Sequence, residues 1–182
     1  MEPLQLLLIL VGLALPIGIY LWHDRSHNNP GSRWPSLAKM LEFAYTDDPP
    51  RLSGVLKERQ VDLFAADGGA VMTLTMRVAG AFRVEIGPRE EVEKASGMIV
   101  PDKVEIRDSA LGEKFMARAT PAAAGEAVDL NVLRKLLQFP GAWVLVVPGR
   151  AELRLPSPPN EAAQVREAAD ILVSLAEALE GL

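Results

Sequence analysis

The hydrophobic pattern divides the chain in two. From Pro3 to Trp22 the sequence PLQLLLILVGLALPIGIYLW carries no charge. About 20 residues at roughly 1.5 Å each make a helix about 30 Å long, the thickness of a bilayer's hydrocarbon. Its leucines, isoleucines and valine each favour insertion by roughly 0.3–0.6 kcal/mol at central depth, on the order of −5 kcal/mol together. Gln5 is the polar exception and lies near one end, while Tyr20 and Trp22 stand at the other, where amphipathic rings prefer the headgroup level. The pattern predicts a transmembrane anchor over residues 1–22. The alternative is a cleaved signal peptide, which needs a basic start, a shorter apolar core and small residues at the cleavage site. Here only Met1 and Glu2 precede the run, and its exit reads Ile19-Tyr20-Leu21-Trp22.

Pro16 removes one backbone donor inside the run and predicts a kink near Gly12. Proline and glycine are ordinary in membrane helices; alternatively, Gly12 and the kink admit a second helix. On that reading Leu8, Gly12, Pro16, Tyr20 and Trp22 are the candidate helix-packing residues of the anchor. No Lys or Arg precedes the run, whereas Arg25, Arg33 and Lys39 follow it. Basic residues stay on the cytoplasmic side, so a single pass through a bacterial inner membrane is expected, with residues 23–182 in the cytoplasm.

Residues 23–33, HDRSHNNPGSR, read as a polar neck. His23 and His27 stand four apart, either a ligand pair on one helical face or two hydrated interfacial side chains. Beyond the neck, residues 34–182 form the expected extramembrane domain. Trp34-Pro35-Ser36 opens a short helix, LAKMLEFAY, with Leu37, Met40, Leu41 and Ala44 at helical spacing. It either packs on the domain that follows or lies in the membrane interface; Trp34, Leu37 and Leu41 are its candidate interface residues.

After Pro49-Pro50 the period changes to two. Val61, Leu63 and Ala65 alternate with Gln60, Asp62 and Phe64, Asp67-Gly68-Gly69 signals a hairpin, and Ala70 to Val78 and Phe82 to Ile86 continue the alternation. Arg89 to Lys94 reads as one helical turn or a solvated loop. Two further strands are expected at Lys103 to Arg107 and Lys114 to Ala119, then a weak Ala-rich helix. Asp129 is the expected N-cap of LNVLRKLLQF. Ala142 to Val147 and Arg150 to Leu155 form a hairpin about Pro148-Gly149, whose residues suit a type II turn, so a loop longer than two residues is expected. Asn160 is expected to cap a final helix with Val165, Ala168, Ala169, Leu172, Leu175, Ala176 and Leu179 as its apolar stripe. The sum is an α+β fold: a mainly antiparallel sheet of about six to eight strands under a long C-terminal helix.

Two stretches carry a resemblance. Leu37 to Val78 holds a short helix, Leu52-Ser53-Gly54, an alternating strand and a second strand beginning MTLTMRV; Gly112 to Leu155 holds a strand with Phe115, the LRKLLQF helix and a glycine-turned hairpin before RAELRLP. In these the chain resembles a group of uncharacterised bacterial single-span membrane proteins, over about half its length. The resemblance implies a membrane-anchored α+β domain and no catalytic residue. Ahead of Phe115, where that group places an aromatic–acid pair, this chain has Leu111-Gly112-Glu113.

Composition narrows the chemistry. There is no cysteine, which excludes disulfides, thiolate nucleophiles and Cys-ligated metals. Beyond His27 there is no histidine, which removes a His base or a Ser-His-Asp triad from residues 28–182. Phosphate-loop, dinucleotide and nucleophile-elbow motifs are missing. Nineteen basic residues are dispersed among 24 acidic ones, without the basic stripe that nucleic acid requires. The carboxylates Glu90, Glu91, Glu93, Asp47 and Asp48 read as solvated, and Arg150, Glu152 and Arg154 as an exposed strand face rather than a phosphate site. The expectation is a non-catalytic accessory subunit of a larger integral-membrane complex, without cofactor, metal or small-molecule substrate. Its expected partners are the lipid bilayer and integral-membrane subunits. A free-standing anchored binding module and a carboxylate-only enzyme are the competing readings.

Overall fold

A computed structural model describes residues 14–19, 30–66, 71–95 and 101–182. The chain is α+β, with one antiparallel sheet and a long C-terminal helix. In chain order its elements are α1 (Pro30–Leu41), β1 (Ala44–Thr46), β2 (Arg51–Leu56), β3 (Arg59–Ala66), β4 (Val71–Met76), β5 (Arg83–Pro88), α2 (Arg89–Ala95), β6 (Asp102–Val104), α3 (Ser109–Lys114), β7 (Phe115–Thr120), a 3-10 helix (Ala122–Ala127), α4 (Leu130–Leu136), β8 (Trp143–Val147), β9 (Arg150–Leu155) and α5 (Ala162–Glu180). Among the described residues no helix is long and apolar enough to cross a membrane. The expected anchor lies outside them except for residues 14–19, which are helical. The neck residues 23–29 and the tip of the Asp67-Gly68-Gly69 hairpin also lie outside.

Among the described residues the sheet has nine strands, more than the pattern predicts, in the order β1-β2-β3-β4-β9-β8-β5-β7-β6. Every neighbouring pair is antiparallel. The first four strands form a meander, and the β8–β9 hairpin returns late in the chain to fill the gap between β4 and β5. Register aligns Leu52, Leu63, Leu74, Leu153, Val144 and Ile86 in one row across six strands. Each is fully buried. A period of two with one buried face fixes such a register, because a one-residue slip would turn every leucine to the opposite side.

That row lies beneath α5. Its expected stripe is buried, and Ile171 and Val173 are buried too. The helix is enclosed on more than one side because it packs on β9 and β4 and also against α1 and α4. Its N-cap is Glu161, with no side-chain bond, rather than Asn160. Asp129 caps α4 as expected, accepting from the Val132 amide at 2.8 Å. An unexpected short helix, α3, is capped by Asp108, which accepts from the Leu111 amide at 3.1 Å.

The other departures have local causes. The first helix begins at Pro30, inside the expected neck, and proline is favoured at a helix's first position. It stops at Leu41 instead of continuing to Tyr45, because Glu42 turns left-handed at φ 61°. The Phe43 amide then bonds the Ala38 carbonyl at 2.9 Å and Glu42 bonds Lys39 at 3.4 Å, a Schellman closure without glycine. The freed Phe43 ring fills the space over Gly54, where an added Cβ would overlap it. The β2–β3 turn holds Lys57 at φ 48° and Glu58 at φ 63°, a primed hairpin turn in which both central residues are left-handed. The expected strand from Lys103 to Arg107 is paired only over Asp102–Val104, and Lys114 ends α3 rather than starting β7. The β8–β9 loop is tighter than expected: Val147 pairs with Arg150, and Gly149 at φ 82° takes the strain of a two-residue turn.

Candidate interaction face

Alternation along the strands gives the sheet a second face. Register places Asp62, Thr75, Glu152, Leu145, Glu85 and Arg118 in one row on it, with Phe64, Thr73, Arg154 and Trp143 in the next. Helices α1, α3, α4, α5 and the 3-10 helix all put their buried residues into the core on the first face. Val92 of α2 and Met116 of β7 are buried apart from that core, which sets α2 over the β5–β7 end of the second face. Across β3, β4, β9 and β8 the second-face side chains from Asp62 to Trp143 are mostly half-buried.

Its charges lie in two levels. Glu85 and Glu152 are only 1% and 5% exposed. Arg83 reaches Glu85 at 2.6 Å, and Arg154 and Arg150 reach Glu152 at 2.7 and 3.3 Å. The arginine side chains above them are 35%, 52% and 57% exposed. A buried carboxylate holding an exposed guanidinium fixes the arginine fork in place, where a lone surface pair would contribute little. Aromatic rings do the same: Arg154 lies 5.0 Å from the Trp143 ring centre, and Arg51 5.0 Å from Phe64. Trp143 itself lies on Gly87, where a Cβ would come within 2.5 Å of its indole. Arg51 also meets Asp62 at 3.0 Å, and the Ser53 hydroxyl donates to that carboxylate at 2.6 Å. Burial pushes Asp62 up, but Ser53 and Arg51 together hold it below its ordinary value. Among the described residues Arg51 Nε, Trp143 Nε1 and Glu85 Oε2 are buried and have no hydrogen-bond partner.

The residues singled out from the sequence stand elsewhere. Trp34, Leu37 and Leu41 are 4%, 2% and 4% exposed and belong to the core of their own domain. They are not available as an interface with membrane or partner, because the helical period turns all three toward the sheet. Leu8, Gly12, Tyr20, Trp22, His23 and His27 lie outside the described residues. Pro16 lies in the helical stretch 14–19, and its side chain is exposed there. Glu90, Glu91 and Glu93 sit on α2 with solvent around them, within reach of Lys94 or Arg89 at 3.5 to 4.0 Å. Asp47 accepts from the Tyr45 hydroxyl at 2.7 Å.

No group of three or more potential metal ligands occurs among the described residues. A depression of about 580 Å³ opens beside the edge strand β6, between Val104, Ile106, Ala122, Glu126 and Leu133. Its lining brings no nucleophile and base together. The arginine face is what sequence reasoning missed. Arg150, Glu152 and Arg154 were legible as one strand's outer face; that Arg83 and Glu85 share that face follows only from register across β8.

No family model and no curated protein matches the chain. Among solved structures its fold is similar to the crystal structure of the mycobacterial trehalose monomycolate transport factor A, with a TM-score of 0.61 at 14% identity. The match covers 85% of this chain and 96% of that one. At that identity the likeness is one of fold.

Proposed function

We propose that this chain is a non-catalytic, single-pass accessory subunit of a larger integral-membrane assembly. One observation carries the reading: an uncharged apolar run long enough to span a bilayer is joined to a body whose conspicuous polar side chains pair with one another on one face of its sheet. The nucleophile–base and metal-ligand patterns by which an enzyme is recognised do not occur in the sequence after His27. Support of a different kind comes from the shared fold, because the similar solved protein is named as a trehalose monomycolate transport factor. A membrane-bound accessory role in transport is consistent with both. In this reading the anchor residues Leu8, Gly12, Pro16, Tyr20 and Trp22 supply the contact with neighbouring membrane helices, and the α+β domain stands on the cytoplasmic side.

Purification of the full chain from its native membranes in mild detergent tests this. Co-migration in fixed ratio with a large membrane complex is the expected result. A lone species of this chain's size, 19.7 kDa plus detergent, favours the free-standing anchored binding module instead.

A further inference from the structure

We infer that the arginine face of the sheet is the domain's membrane-docking surface and that its occupant is anionic phospholipid headgroup. The inference rests on the anchored reading above and adds to it an orientation and a ligand chemistry. Seven residues separate Trp22 from α1 at Pro30. Fully extended they span at most about 25 Å. A domain of about 150 residues has a radius of gyration of roughly 15 Å, so a chain anchored at Trp22 always has some surface close to the headgroups.

Charge selects which surface. The chain as a whole carries a net charge of −5. The second face departs from that: Arg51, Arg83, Arg118, Arg150, Arg154 and Lys103 stand there against Asp62, Glu85 and Glu152. Helix α2 over one end adds Arg89 and Lys94 against Glu90, Glu91 and Glu93. Among the described residues an excess of two basic groups thus remains on this side, whereas the chain as a whole is net acidic. The depth order reinforces the sign, because Glu85 and Glu152 lie beneath and their arginines above. Guanidinium forks held by carboxylates and stacked on Trp143 and Phe64 lose little further freedom on meeting a phosphate oxygen. Each unit of positive charge near such a surface changes partitioning about fivefold, so an excess of two is a bias of about twenty-five-fold. For a tethered domain that bias fixes orientation, since the tether already supplies a high local concentration.

The absence of cysteine makes the test clean. A nitroxide is placed by Thr75→Cys on the arginine face, or by Glu167→Cys on the exposed side of α5, in the full chain. Each protein is reconstituted in phosphatidylcholine vesicles with or without phosphatidylglycerol, and the label's accessibility to a water-soluble relaxation agent is measured. The expected result is at least a fivefold loss of accessibility for the Thr75 label only when phosphatidylglycerol is present. High salt reverses it, and Thr73→Glu/Thr120→Glu, which cancels the excess without removing an arginine, abolishes it. The label at Glu167 stays accessible throughout. If Thr75→Cys perturbs folding by circular dichroism, Val55→Cys, on the same face and 60% exposed, carries the label.

Equal accessibility in both vesicles overturns the inference, as does shielding that ignores lipid charge. Shielding that occurs in native membranes and not in pure lipid also overturns it, and assigns the face to an acidic protein partner. Resistance of the same samples to alkaline carbonate separates the two failures: a chain that stays embedded with its arginine face open refutes the docking alone, and a chain that washes off refutes the anchor.

Discussion

Glu180, at the end of α5, ties the C-terminal helix to the sheet, and its removal has a calculable effect. Its carboxylate accepts from Arg59 of β3 at 2.5 and 3.2 Å and from the Ala79 amide at 2.9 Å. Chiefly through the Arg59 hydrogen bonds, then the Ala79 amide, the carboxyl is lowered from 4.5 to about 2. A fall of that size corresponds to a ceiling of about 3.4 kcal/mol at neutral pH. The two side chains are 23% and 26% exposed, so solvent screening brings the ion pair to about 1–2 kcal/mol. A carboxylate at a helix C-terminus also opposes the helix dipole by a few tenths of a kcal/mol, which Glu180→Gln relieves. The glutamine oxygen can still accept from Ala79. Glu180→Gln is therefore expected to destabilise the domain by about 1 kcal/mol and lower Tm by about 2–4 °C in the full chain in neutral detergent. The pH sign follows from the depressed value. The stabilisation is complete above the ordinary carboxyl value of 4.5 and is lost as pH falls toward about 2. Far-UV circular dichroism melts of wild type and variant should differ by a constant amount from pH 7 to 5 and converge as pH falls below 4.5. Arg59→Gln should add little on top of Glu180→Gln. Equal melting at pH 7, or a gap that persists undiminished at the acid end, would refute the reasoning.

Glu58→Gly relieves a left-handed residue in the β2–β3 turn and leaves the 2.8 Å Lys57–Asp170 pair intact; chemical denaturation should show a gain of about 0.5–1 kcal/mol, net of glycine's greater unfolded-state entropy. Gly87→Ala drives a methyl into the Trp143 indole and should cost about 1–3 kcal/mol, with a changed tryptophan emission as its signature. Leu172→Ala removes a fully buried side chain of α5 and should cost about 2–5 kcal/mol by the same denaturation assay.

The difference between what was legible and what was not lies in the range of the signal. Strands β3, β4, β8 and β9, the Asp129 cap and the stripe of α5 are written in local period, and burial of one face enforces that period. Sequence signals for chain reversal failed where left-handed residues are not glycine. Glu42 ends α1 early, and Lys57-Glu58 makes the β2–β3 hairpin without the Asn-Gly or Asp-Gly that marks such turns, so β1 and β2 escaped the alternation reading. The return of β8–β9 between β4 and β5 leaves no local trace, because it is decided by which apolar rows align. That placement creates the arginine face, which was accordingly invisible from the chain alone. Trp34, Leu37 and Leu41 show the converse: one apolar helical stripe fits a core and an interface equally well, and only the sheet beneath α1 decides between them.

The central proposal is that the apolar run of residues 3–22 stays in the bilayer and holds an otherwise chemically quiet domain against it. Alkaline carbonate extraction of native membranes addresses it most directly. Retention of the chain in the membrane pellet is the predicted result, and its release into the supernatant would contradict the proposal.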